Sequence, residues 1–221
     1  MGRLIHSAAI VAGRFILSQC VRVQVLNRHC VPARGPFLLA CTHLSHLEPF
    51  VVSSVLNRHI DWMARVEFFR NPLAAKLLRM VDSFPVNRRG VPVSAIRSAL
   101  QRLGRGRIVG MFPEGGVATG TRAVIRGGAI KQGVCLIANR ARVPIIPAVV
   151  IGTEKLNCVQ PWLPMRRGRL WLSFGKPVMP VVCQPGRRLA RQILAEQLQC
   201  RFAQTYRQLC QACAIDDAMV P

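Results

Sequence analysis

The feature that most constrains this chain is a series of short, almost uninterrupted apolar runs, each followed by an amphipathic stretch. Pro36 to Cys41, Arg107 to Phe112, Val143 to Ile151 and Leu170 to Phe174 are too short for buried helices and carry no polar alternation. Such runs read as strands covered on both faces. Helical patterns fall between and after them, at Val93–Leu103, Ala129–Asn139 and Arg187–Ala214. Strands alternating with helices predict an α/β fold, one domain whose mixed, mostly parallel sheet is flanked by helices. Trp62 to Phe69 and Ser83 to Val86 add further extended segments, and Phe50–Leu56 and Pro72–Val81 add helices. In sheets of this kind, ligands sit at the carboxyl ends of the strands.

Two stretches stand at such ends. Thr42-His43-Leu44-Ser45-His46-Leu47-Glu48 follows the first run directly. Five positions are about 140° short of a shared face on a regular helix, so His43 and Glu48 meet only if His43 lies on the turn before it. Ser45-x-x-Glu48 has a capping-box pattern, and Pro49 suits a first helical turn. In that geometry Glu48 takes one imidazole nitrogen and leaves the other free as a base. Two further readings stay open: Ser45 and Glu48 only cap a helix, or His46 is the base. The second stretch is Met111-Phe112-Pro113-Glu114-Gly115-Gly116, a Pro/Gly turn after an apolar run. Its backbone amides suit an anion, with Arg122, Arg126 and Lys131 downstream, although a plain loop has the same composition.

Charge bears on the partner. Among 221 residues, 31 Lys+Arg face 9 Asp+Glu, a net charge of +22. That excess calls for an anionic partner. Nucleic-acid binding would want basic stripes interleaved with stacking aromatics. Tyr206 is the only tyrosine, and Trp62, Trp162 and Trp171 are not so arranged. No nucleic acid is therefore expected, and a mean hydropathy of +0.27 favours an anionic membrane surface. Arg3, Ser7, Arg14 and Ser18 share one helical stripe, opposite Leu4, Ile5, Ala8, Val11, Phe15 and Ile16. Residues 3–28 thus read as amphipathic helices, lying in a membrane interface or packed on the domain. Arg14 breaks the apolar run, so neither a spanning helix nor a signal peptide is expected. Nine scattered cysteines suggest reduced thiols and a cytosolic-facing chain; Cys210-x-x-Cys213 lacks a second pair, so no metal is expected.

Taken in order, the motifs resemble those of the glycerolipid acyltransferase family that includes the 1-acylglycerol-3-phosphate acyltransferases. His43-Leu-Ser-His-Leu-Glu48 is similar to its His-x4-Asp block, and Phe84-Pro-Val-Asn-Arg88 to its second block. Phe112-Pro-Glu-Gly115 is its third block unchanged, and Val143-Pro-Ile-Ile-Pro147 resembles the fourth. The resemblance spans roughly residues 35 to 180. It implies an enzyme that moves a fatty acyl group from acyl-CoA or acyl carrier protein to a lysophospholipid hydroxyl, without a cofactor. The implied acceptor is 1-acylglycerol-3-phosphate, giving phosphatidate. By the same resemblance His43 is the general base and Glu48 orients it. Arg88, Gly115, Arg122 and Lys131 would hold the acceptor's phosphate, in a site shaped by Phe112, Pro113, Glu114 and Gly116. The implied organisation is a membrane-associating segment over residues 1–30 and an acyltransferase domain over 31–221, peripheral on the cytoplasmic face of a membrane. Two departures stand out: Glu48 replaces the family's Asp, and Gly116-Val117-Ala118 replaces Gly-Thr-Arg, with Thr121-Arg122 coming later. They leave room for another lipid hydroxyl, such as that of a lyso-aminolipid, or for a non-catalytic lipid-binding member.

Overall fold

Four consecutive apolar residues, Leu38-Leu39-Ala40-Cys41, are wholly buried, which only a central strand covered on both sides achieves. In the computed structural model, which describes residues 21–56, 58–80, 83–87, 93–153, 168–181, 187–216 and 220, they form β2. The other strands are β1 (Val21–Leu26), β3 (Ile60–Arg65), β4 (Phe84–Val86), β5 (Ile108–Met111), β6 (Ile145–Ile151) and β7 (Gly168–Phe174). The helices are α1 (Glu48–Val55), α2 (Pro72–Met80), α3 (Val93–Gly104), α4 (Gln132–Ala141) and α5 (Arg187–Cys213). One seven-stranded sheet runs β1-β7-β6-β2-β5-β3-β4. Every neighbouring pair is parallel except β6 with β7. The fold is the α/β architecture that the apolar runs predict.

The pleat divides each central strand between two cores. Leu38, Ala40, Val109, Met111, Ile145 and Val149 face a layer built from α3, α4 and α5. Leu39, Cys41, Ile108, Ile146, Ala148 and Val150 face the opposite layer, with Val51 and Val52 of α1 and Trp62. Helix α5 buries Leu194, Leu198, Phe202, Tyr206 and Leu209, one apolar stripe at steps of four, four, four and three. At the amino end of β3, buried Asp61 is ion-paired to Arg102, Arg107 and His59, so this network lies at the end of the sheet away from the two motif turns.

Three expectations need correction. Residues 21–26 are strand, not helix: Val21, Val23 and Val25 alternate with Arg22 and Gln24, and β1 pairs in parallel with β7. Residues 21–30 therefore belong to the sheet domain, whereas the amphipathic pattern over residues 1–20 lies outside the described residues. The strand from Trp62 stops at Arg65, and Val66–Phe69 turn as a 3-10 segment. Helix α4 begins at Gln132 rather than Ala129, because the Lys131 amide donates to Pro113 O at 2.8 Å and holds the preceding link extended. No helix among the described residues is long and apolar enough to cross a membrane.

Candidate active site

His43 leaves the carboxyl end of β2 on a turn, and α1 starts five residues later at Glu48. That offset lets the imidazole fold back over the helix start. Its Nδ1 lies 3.1 Å from Glu48 Oε2. Glu48 is fully buried, and both its oxygens are occupied. Oε1 accepts from the Ser45 amide at 2.7 Å and from the Thr153 hydroxyl at 2.6 Å. The capping box is only half made. Ser45 Oγ accepts from Leu47 N at 3.0 Å, and Leu47, not Ser45, is the N-cap. Glu48 is thus held from both sides, and its extra methylene does not stop it from meeting the imidazole.

The ring is fixed on its faces as well. His43 stacks on Phe112 with centroids 3.8 Å apart and planes 16° apart, and Phe112 stacks on Trp62 at 5.3 Å. Gly110, beside Trp62 in the β3–β5 ladder, makes room for this stack: a Cβ there would sit 2.6 Å from Trp62 Cε3. His46 meets His43 edge-on at 5.7 Å and touches neither Glu48 oxygen. Burial, the nearby His43 and Arg65 hold its pKa down against the pull of Glu48. Of the two, His43 has the oriented carboxylate partner that a base needs. With Nδ1–H donating to Glu48, Nε2 carries the lone pair, and none of the described residues bonds to it.

The third-block carboxylate does different work. Glu114 Oε2 accepts from the His43 amide at 2.8 Å, and Oε1 from the Val124 amide at 3.0 Å. Burial lifts its pKa to about 7, against the two amide bonds and with some help from Glu48. Glu114 is a clamp that ties the His43 turn to the 3-10 turns at Gly120–Arg126. The Ala118 amide, donating to His43 O at 2.9 Å, is a second tie. The longer loop after Gly116 is thus anchored at both ends and returns to the turn two residues past Arg122.

One of the expected phosphate ligands, Lys131, is placed at that turn. Gly115 has φ +79, and a Cβ on it would lie 3.3 Å from Lys131 Cγ, so the Lys131 stem crosses the turn. Lys131 and Arg122 are exposed, and neither side chain has a hydrogen bond or ion pair among the described residues. Arg126 is directed elsewhere. Its Nη2 donates to Val220 O at 2.9 Å, and its guanidinium lies over Tyr206. Pro113 is buried beneath the turn, Gly116 continues it, and Arg88 lies outside the described residues. The geometry brings together His43, Glu48, Phe112, Pro113, Glu114, Gly115 and Lys131. Thr153 escaped the sequence reading, since a threonine past the end of a strand carries no pattern of its own.

Comparison with known proteins gives the family and the fold. The family model described as Acyltransferase matches residues 22–151, from β1 to the end of β6 and more than half of the chain. A Bacillus subtilis 1-acyl-sn-glycerol-3-phosphate acyltransferase is 30% identical over 166 residues, 75% of this chain and 78% of that protein. A probable 1-acyl-sn-glycerol-3-phosphate acyltransferase of Mycoplasma pneumoniae is 23% identical over 211 residues, 89% and 76% of the two chains. Among solved structures, the fold is similar to the 1-acyl-sn-glycerophosphate (LPA) acyltransferase PlsC from Thermotoga maritima, with a TM-score of 0.67 at 19% identity, covering 90% of this chain and 80% of the other. With the first and third motifs folded into one site and the family match running through all four, the chain belongs to the Acyltransferase family.

Proposed function

We infer that this protein acylates the free hydroxyl of 1-acylglycerol-3-phosphate, using a fatty acyl thioester as donor. The observation that carries the reading is the His43 Nδ1–Glu48 contact of 3.1 Å beside a turn crossed by Lys131, whose side chain has no partner among the described residues. Nε2 takes the acceptor's hydroxyl proton as the oxygen attacks the thioester carbonyl carbon. Glu48 stabilises the imidazolium that forms. The tetrahedral intermediate collapses, the carbon–sulfur bond breaks, and the imidazolium returns its proton to the departing thiolate. No acyl-enzyme is required. Lys131 and Arg122 supply the positive charge that a phosphate-bearing acceptor needs. Acyl-CoA and acyl carrier protein present the same thioester, and either fits this step.

The names of the relatives support the same acceptor. The net charge of +22 supports peripheral association with an anionic membrane, on its cytoplasmic face. The Glu48 that left room for a non-catalytic member lies within hydrogen-bond reach of the imidazole, which supports the catalytic reading.

The test is thiol release from acyl-CoA and from acyl carrier protein, with lysophosphatidate and phosphate-free lysolipids as acceptors. Lysophosphatidate should be preferred, and His43→Ala should lose at least about 10³-fold in kcat. Equal turnover of a phosphate-free lysolipid would overturn the acceptor. Undiminished release by His43→Ala would overturn the base.

A further inference from the structure

Glu48 belongs to the first turn of α1, but one of its anchors comes from the end of β6, the strand beside β2. Thr153 lies 105 residues along the chain, and its hydroxyl donates to Glu48 Oε1 at 2.6 Å. Thr153 is wholly buried. It is delivered there by Gly152, whose φ of +95 turns the chain sharply at the end of β6. A Cβ on Gly152 would lie 2.6 Å from Arg169 O, so the turn is pressed against β7. A neighbouring bridge fixes the same seam. Thr42 Oγ1 accepts from the Val150 amide at 2.9 Å, just before His43.

Consider what each oxygen of Glu48 can then do. Oε1 holds two donors, the Ser45 amide and the Thr153 hydroxyl. These occupy its two lone-pair directions and fix the carboxylate's rotation about its last bond. Oε2 remains for the imidazole. A glutamate has one more rotatable bond than an aspartate, so a pair built on Glu48 needs one more constraint to hold one geometry. Ser45 alone, on the same turn as His43, leaves the carboxylate free to swing. Thr153 approaches from β6 and stops that swing.

We propose that Thr153 is a positioning residue for the acyl transfer: its hydroxyl locks the Glu48 carboxylate so that Oε2 holds His43 in the tautomer with Nε2 unprotonated. This rests on the reading of His43 as the base. Thr153 is wholly buried and reaches the imidazole through Glu48, so its loss acts on turnover rather than on binding.

Thr153→Val keeps the shape and removes the hydroxyl, and Thr153→Ser keeps the hydroxyl. Thr153→Val should lower kcat by about ten- to a hundredfold and leave the acceptor KM within about twofold, as expected for a misplaced supporting group. Thr153→Ser should restore most of the turnover. Nitrogen-15 NMR of the imidazoles should show neutral His43 as the Nδ1–H form in the unmodified protein and in Thr153→Ser, and as a mixture of tautomers in Thr153→Val. If Val lowers the melting temperature enough to prevent the assay, Thr153→Ala gives the same comparison without added apolar bulk. Unchanged kcat and tautomer in Val or Ala would overturn the proposal, as would a Ser variant as impaired as Val. A tautomer shift with undiminished turnover would uphold the anchoring of Glu48 and overturn His43 as the base.

Discussion

At the scale of single residues, two carboxylates a short distance apart are set to different tasks by their surroundings. Glu48 faces an imidazole and two donors, whereas Glu114 faces only backbone amides. Burial raises Glu114 to about 7, from an unfolded value near 4.5. A carboxyl whose folded pKa is raised binds its proton more tightly in the native state. Its contribution to stability is therefore fully present below about pH 4.5 and is lost as pH rises through about 7. Glu114→Gln removes that dependence, and it leaves one amide, of His43 or Val124, without an acceptor. Urea unfolding should show the variant less stable at low pH, with the gap narrowing on the order of 2 kcal/mol between pH 4.5 and 7. A constant gap across that range would show that the carboxyl stays ionised throughout. His43 and Glu114 were legible because each sits in a patterned stretch. Thr153 was not, because its contact with Glu48 joins segments 105 residues apart that follow neighbouring strands, and no local spacing encodes that.

At the scale of elements, the site is a property of strand ends. Gly110 illustrates how far back from the site the constraint reaches. It lies inside β5, paired with Trp62, and its missing side chain lets Trp62 lie under Phe112, which in turn carries the His43 ring. Gly110→Ala places a methyl 2.6 Å from Trp62 Cε3 and 2.9 Å from Ile60 Cγ2. Overpacking of this kind should cost about 1–3 kcal/mol in denaturant unfolding. The displaced stack should also lower kcat, and wild-type turnover would show that the stack is not needed for orientation. Continuous apolar runs made β2, β5, β6 and β7 readable, since two-sided burial leaves little else for such sequence. β1 was misread because Val21, Val23 and Val25 adjoin an amphipathic stretch, and the change from a helical period to a period of two falls within it. Its partner β7 is about 145 residues later, a pairing with no signature in the strand itself.

At the scale of the whole molecule, the excess of cations acts through its sum. A net charge of +22 on 221 residues gives a field that favours any anionic surface. Co-sedimentation with vesicles containing anionic lipid should fall steeply as salt rises from about 0.05 to 0.5 M, because the screening length shortens severalfold. Retention that ignores salt would assign membrane association to apolar insertion instead. Composition told the sign of the partner but not the face presented to it, because a count of charges has no direction.

The one reversal in the sheet supplies a direction. β6 runs against β7, and β1 follows β7, so Val21 stands at the same edge of the sheet as the carboxyl ends of β2, β5 and β6. A chain arriving at β1 is therefore handed to the protein on the rim that carries His43, not at the base near Asp61. Had that strand been turned the other way, anything leashed to it would have held the chemistry facing outward. As built, a tether at this point draws the rim that carries the imidazole toward whatever the leash holds.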